Sequence, residues 1–123
     1  MTSPVCSPRL EAELSNPQSE WDITVEQLKA LREGEEDFLL VDVREPHELE
    51  RATLGGINIP LGNVAARRDE IPLDRKVIVH CKLGGRSAKA VTALRQLGYE
   101  DIWNLQGGIQ AWSERIDPAT PTY

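Results

Sequence analysis

Two short runs constrain this chain more than anything else in it: Phe38-Leu39-Leu40-Val41-Asp42-Val43 and Lys76-Val77-Ile78-Val79-His80. Each is almost continuously apolar rather than alternating, rich in β-branched residues, and too short for a buried helix. Such runs read as central parallel strands buried on both faces, and parallel strands need helices to cover them. The intervening segments supply those helices. Thr24 followed by Gln27 fits a helix capping box, Val25, Leu28 and Leu31 share one helical face, and Gly34 closes the helix. Pro46 opens a short helix at its first turn. Val64 to Ile71 reads as helical, stopped by Pro72. Ser87 to Leu97 reads as a helix with Ala90, Val91, Ala93, Leu94 and Leu97 turned inward and Gly98 as its stop. Ile57-Asn58-Ile59, halted by Pro60, and Ile102-Trp103-Asn104-Leu105 are further strands. Gly107-Gly108 turns into a last short helix through Trp112. The alternation of strands and helices predicts an α/β domain with a parallel sheet and no internal repeat.

The 123 residues suffice for one domain, and 40% apolar residues suffice for one core. Twenty acidic residues against 14 basic ones give a net charge of −6. That balance argues against non-specific binding to nucleic acid or to anionic membranes. No apolar run approaches the roughly 20 residues of a membrane span. The opening MTSPVCSPRL lacks the basic end and apolar middle of a secretory signal, so a cytoplasmic location is expected. Residues 1–20 carry Pro4, Pro8 and Pro17 among four serines and read as a flexible leader or linker, with the folded domain over 21–123. The two cysteines, Cys6 and Cys81, lie in unlike settings, one in this leader and one after a strand. No disulfide between them is expected, and Cys6 is expected to be idle.

In an open α/β sheet, ligands bind beyond the carboxyl ends of the strands. Three polar segments follow strand ends: Asp42 to Glu45, Cys81 to Arg86, and Gln106 to Gly108. The segment Cys81-Lys82-Leu83-Gly84-Gly85-Arg86-Ser87 carries the most chemistry. Its two glycines let the backbone curl, and a curled loop opening a helix turns several N–H groups inward as an anion nest. Lys82 and Arg86 add positive charge. All of this favours thiolate over thiol at Cys81, and the thiolate is the nucleophile. An isolated cysteine after a strand is more often a small core residue, but a core cysteine does not need Gly-Gly-Arg after it. The segment is neither G-x-G-x-x-G nor a P-loop. Two histidines and two cysteines without ligand spacing predict no metal site, and His80 reads as a structural strand-end residue.

The segment from Cys81 to Ser87 resembles the active-site loop of the rhodanese family, C-x-x-G-x-R-[ST]. Val41-Asp42-Val43-Arg44-Glu45-Pro46 is similar to that family's first strand and its D-x-R-E-P continuation. Gly55 to Pro60 is similar to its G-x-I-P-G-A-x-N-I-P segment, with Leu54-Gly55-Gly56-Ile57 where a histidine is usual. Leu105-Gln106-Gly107-Gly108-Ile109-Gln110-Ala111-Trp112 is similar to its L-x-G-G-x-x-x-W ending. The resemblance covers residues 21–117. The ending Ile116-Asp117-Pro118 to Pro121-Thr122-Tyr123 resembles rhodanese domains at the C-terminus of E1-like adenylyltransferases.

The resemblance implies a rhodanese-like fold, an about five-stranded, mainly parallel sheet flanked by helices on both faces. It implies a sulfurtransferase that forms a persulfide on Cys81 without a cofactor. Lys82, Leu83, Gly84, Gly85, Arg86 and Ser87 would form the loop that binds the anionic sulfur, with the amides of Leu83 to Ser87 as donors. Arg86 would brace the loop through a fixed carboxylate or, alternatively, contact an anionic donor directly, and Asp42 and Arg44 would support the loop as an ion pair at the neighbouring strand end. The implied donor is thiosulfate or a protein persulfide such as that of a cysteine desulfurase. The implied acceptor is a ubiquitin-like sulfur carrier activated by a fused adenylyltransferase domain. A free-standing thiosulfate sulfurtransferase is the alternative. A non-catalytic rhodanese-like binding module would not need Cys81, and the related phosphatases and arsenate reductases have a longer loop than the six residues from Cys81 to Arg86.

Overall fold

The capping box read at Thr24 forms: its Oγ1 accepts from the Gln27 amide at 3.1 Å, and the Gln27 side chain accepts from the Thr24 amide at 2.7 Å. The structure, a computed structural model, describes residues 21–123; the leader expected over 1–20, with Cys6, lies outside the described residues. The chain runs through β1 (Asp22–Ile23), α1 (Val25–Glu33), β2 (Phe38–Asp42), α2 (Pro46–Leu49) and β3 (Ile57–Asn58). It continues through β4 (Lys76–His80), α3 (Gly85–Gln96), β5 (Ile102–Leu105) and α4 (Gly108–Arg115).

The five strands form one sheet in the order β1-β5-β4-β2-β3, and every pairing is parallel. The two apolar runs lie side by side at its centre, with Leu40 opposite Ile78 and Val41 opposite Val79. Successive residues of a strand face opposite sides, so the runs feed two cores. Leu40, Ile78 and Leu105 pack on Val25 and Leu28 of α1 and on Ile109 and Trp112 of α4. Val41, Val77 and Val79 pack on Ala90, Val91 and Leu94 of α3 and on Tyr99. Helices cover both faces, which is why these strands read as unbroken apolar runs.

Several elements differ from the sequence reading. Residues 64–71 are not an α-helix; 3₁₀ turns stand at Leu61–Asn63 and Arg68–Glu70. Only Val64 and Ile71 are buried between 61 and 71, too few to hold a helical face. The Tyr99 hydroxyl instead donates across the carbonyls of Arg68 and Ile71, at 2.9 and 2.7 Å. Helix α3 starts at Gly85 and buries Ser87, Ala90, Val91 and Leu94. Ala93 and Leu97 lie outside that arc, Leu97 being 49% exposed, and the inward place past the helix goes to Tyr99. Helix α4 runs on to Arg115, and β1 is an edge strand too short to leave a pattern.

The carboxyl end of β2 is held by an ion pair with almost no exposed surface. Arg44 Nη2 lies 2.6 Å from Asp42 Oδ2, and Arg44 Nε donates to both carboxylate oxygens at 2.9 and 3.1 Å. The pair joins the last residue of β2 to the loop that follows it. Removing one member of such a pair strands the other. Asp42→Ala is therefore expected to lower the unfolding free energy by about 3–5 kcal/mol. Leu97→Ser, on the exposed flank of α3, is expected to change it by less than about 0.5 kcal/mol. Urea midpoints of the two variants check both.

Candidate active site

Strand β4 delivers Cys81 to the carboxyl edge of the sheet, 1% exposed, and α3 begins four residues later. The loop between them is gripped from outside. The Ile109 and Gln110 amides, in the first turn of α4, donate to the carbonyls of Cys81 and Lys82, both at 3.0 Å. With these carbonyls drawn toward α4, the following amides turn inward. The Gly84 amide donates to Cys81 Sγ at 3.1 Å and the Ser87 amide at 3.4 Å, with Ser87 Oγ also 3.4 Å away. Gly84 has φ 108°, closed to most side chains. Gly108 has φ 60°, and a Cβ there would overlap the carbonyls of both Cys81 and Lys82. The Gly107-Gly108 turn is what lets α4 reach the sulfur loop.

The expected amides run from Leu83 to Ser87; those of Gly84 and Ser87 reach the sulfur. N–H groups aimed at one sulfur at a helix start stabilise negative charge there. Leu83 stands at the loop tip, 63% exposed. Arg86 is paired with a carboxylate. Its two terminal nitrogens donate to the carboxylate of Glu48, at 2.7 and 3.0 Å. This is the fixed carboxylate expected for the brace. The Arg86 contact is the main reason Glu48 is held down at about 2. Glu48 also accepts from the Glu45 amide at 2.9 Å, closing the capping box of α2.

Asp42 and Arg44 stand one strand away as frame, with Arg44 Nη1 directed to the Glu48 carbonyl and to the Tyr123 hydroxyl. His80 is fully buried, its Nε2 3.7 Å from Asp42 Oδ2. Burial pushes it down to about 4, so it is neutral at neutral pH and structural, as read.

Three residues of the site escaped the sequence reading. Glu48 sits at capping-box spacing from Glu45, but its arginine is 38 residues away. Asn104 is a buried polar residue in an otherwise apolar strand, a signal that was available. It accepts from Ser87 Oγ and donates to Asp22 at 3.0 Å, fixing the hydroxyl beside the sulfur. Tyr123 left no signal beyond the resemblance of the chain's ending.

A family model for the rhodanese-like domain matches residues 24–115, and the chain belongs to the rhodanese-like family. It is 39% identical over 93 residues to a sulfurtransferase of Allochromatium vinosum, covering 75% of this chain and 87% of that protein. It is 33% identical over 104 residues to the probable adenylyltransferase/sulfurtransferase MoeZ of Mycobacterium tuberculosis, covering 82% of this chain. The chain spans only 26% of MoeZ, and 40% of the rhodanese-like/PpiC domain-containing protein 12 of Arabidopsis thaliana, to which it is 36% identical. The crystal structure of a rhodanese-related protein from Thermoplasma volcanium aligns with a TM-score of 0.70 at 35% identity, covering 77% of this chain and 92% of that one.

The Glu48–Arg86 brace has a pH signature. The folded carboxyl lies at about 2, against an ordinary 4.5. A depressed carboxyl contributes stability that is complete above its unfolded value and is lost as pH falls toward its folded value. The stability difference between the natural chain and Glu48→Gln is therefore expected to be constant above about pH 5 and to shrink between pH 4.5 and 2. Urea titrations across that range measure it. A difference that persists unchanged at pH 2 would show that Glu48 is not held as an anion by Arg86.

Proposed function

We propose that this protein is a sulfurtransferase in which Cys81 takes a sulfane sulfur as a persulfide and passes it to an acceptor. The observation that carries this reading is the cysteine sulfur facing two backbone amides and a hydroxyl at the start of α3. The Cys81 thiolate attacks the outer sulfur of thiosulfate. A new S–S bond forms, the thiosulfate S–S bond breaks, and sulfite leaves with the electron pair. The Gly84 and Ser87 amides then serve the terminal anionic sulfur. No general base is needed once the sulfur is ionised, and no cofactor enters. An acceptor such as cyanide attacks the terminal sulfur and returns the Cys81 thiolate, completing a ping-pong cycle.

Arg86 favours sulfur over phosphoryl transfer. Both terminal nitrogens of its guanidinium already donate to Glu48, which leaves fewer donors for phosphate oxygens.

The acceptor we infer is the C-terminal carboxylate of a ubiquitin-like sulfur carrier, adenylated by a companion or fused adenylyltransferase domain. Likeness to MoeZ supports this. The persulfide attacks the acyl-adenylate and expels AMP, and a second thiol reduces the resulting acyl disulfide to a thiocarboxylate. On this reading residues 21–123 are the working domain, residues 1–20 are its linker, and the cytoplasm keeps Cys81 reduced. The free-standing reading, with thiosulfate or a desulfurase persulfide as donor, draws on the Allochromatium sulfurtransferase, of which this chain covers 87%.

Intact mass after thiosulfate treatment tests the core of the proposal. The natural chain is expected to gain one sulfur atom that cyanide removes, and folded Cys81→Ala to gain none and to lose thiosulfate:cyanide turnover. Cyanide-labile sulfur on Cys81→Ala, or none on the natural chain, would reject it. Reconstitution with adenylating domain, carrier and ATP separates the acceptors: a Cys81-dependent thiocarboxylate supports the carrier, and its absence despite thiosulfate:cyanide turnover supports the free-standing form.

A further inference from the structure

The end of the chain folds back onto the sulfur loop. Past α4, the Asp117 amide donates to the Trp112 carbonyl at 2.9 Å, and Ser113 Oγ donates to the Thr120 carbonyl at 2.6 Å. These bonds carry Tyr123 to the site. Its hydroxyl accepts from Arg44 Nη1 at 2.7 Å and donates to Glu48 Oε1 at 2.9 Å, the same oxygen that Arg86 Nη2 reaches at 3.0 Å. Its ring lies against the Lys82 ammonium, 4.6 Å from nitrogen to ring centroid. One side chain thus ties together the Arg44 frame, the Glu48–Arg86 brace, and the cation adjacent in sequence to Cys81.

The three cations near the nucleophile differ in what is left of their charge. Arg44 is spent on Asp42, and Arg86 on Glu48. Among the described residues, Lys82 has no carboxylate partner. A lysine on its four-carbon stem samples many rotamers unless something holds it. An aromatic face does so through its quadrupole, and the Tyr123 ring is itself pinned by two hydrogen bonds through its hydroxyl. We propose that Tyr123 is a positioning residue that fixes Lys82 at the mouth of the cradle and makes Cys81 selective for anionic over neutral reagents. This rests on the sulfur-transfer reading only in taking Cys81 as the nucleophile. In thiosulfate the fixed ammonium meets the sulfonate oxygens while Cys81 attacks the outer sulfur, and it releases sulfite as the S–S bond breaks.

The test uses charge probes on a Cys6→Ser background, so that only Cys81 reacts. Alkylation rates with iodoacetate, an anion, and iodoacetamide, its neutral analogue, give a ratio that reports the charge at the mouth rather than the reactivity of the sulfur. Tyr123→Leu is expected to lower that ratio about two- to fivefold, the worth of an exposed cation–π contact. Tyr123→Phe, which keeps the ring, is expected to retain most of it. Lys82→Gln is expected to lower the ratio at least as far, and Tyr123→Leu added to Lys82→Gln to lower it no further. The KM for thiosulfate is expected to rise in Tyr123→Leu with kcat little changed. An unchanged ratio in folded Tyr123→Leu, or in Lys82→Gln should Tyr123→Leu not fold, overturns the proposal. A Tyr123→Leu loss undiminished in the Lys82→Gln background overturns it too, since a purely structural tail would act without Lys82. A natural chain that shows the ratio effects but takes no sulfur from thiosulfate would reject the transfer reading and leave the positioning role standing.

Discussion

A guanidinium with no exposed surface holds the carboxyl end of this sheet together. Burying an arginine is costly unless every donor finds an acceptor and the charge finds a partner. Arg44 meets both terms. Asp42 takes the charge and accepts from Nε and Nη2, the Ala52 carbonyl takes the second Nη2 donor, and the Glu48 carbonyl and Tyr123 hydroxyl take those of Nη1. These acceptors come from β2, α2, the segment before β3 and the chain end. The loop beside the sulfur site is therefore set by one satisfied ion pair as much as by apolar packing. Its neighbour His80 stays neutral in the same pocket because burial opposes its charge.

From that frame the site is assembled by opposing grips on one loop. On the carbonyl side, the first turn of α4 takes the oxygens of Cys81 and Lys82. On the side-chain side, Glu48 of α2 takes Arg86 from the first turn of α3. A positive residue at a helix start opposes the helix dipole, and the carboxylate of Glu48 offsets it. What remains free between the two grips is the inward row of amides, and the sulfur lies against it. Asn104 receives the Ser87 hydroxyl proton and so fixes that rotamer, and toward the sulfur Ser87 donates through its amide.

The sheet and the cysteine loop were legible in the sequence because both leave local marks. Val77-Ile78-Val79 between a lysine and a histidine has few readings other than a buried strand, and Cys81 followed by Gly84-Gly85-Arg86-Ser87 has few readings other than a curled loop entering a helix. The stretch from Val64 to Ile71 misled, because its spacing suits a helix while its burial supports only turns. Leu97 misled for a related reason: it sits beyond the last helical residue, where the periodicity of α3 no longer dictates which way a side chain points. Glu48 and Tyr123 could not be placed by pattern, since their roles come from partners 38 and 75 or more residues distant. Local marks named the cysteine loop, and long-range contacts named what holds it.

The charge of the whole chain and the charge at the site point in opposite directions. A net charge of −6 repels anions at long range, yet the reading of the loop calls for an anionic donor at Cys81. Screening reconciles the two. At physiological salt the Debye length is about 8 Å, so distant surface carboxylates are largely screened at the mouth while groups within a few ångströms are not. Arg44 and Arg86 are neutralised in pairs that build the frame. On the proposed reading, and among the described residues, backbone amides and Lys82 are what remain to meet an incoming anion. Such an arrangement selects by contact rather than by long-range steering, so it rewards a donor that can bring its charge within reach of the Lys82 ammonium while its outer sulfur touches Cys81. Thiosulfate, a compact dianion with its sulfane sulfur two bonds from the charged oxygens, has that geometry. A protein persulfide must supply the negative charge from residues flanking its cysteine, and the acidic or neutral character of those residues then decides how well it competes.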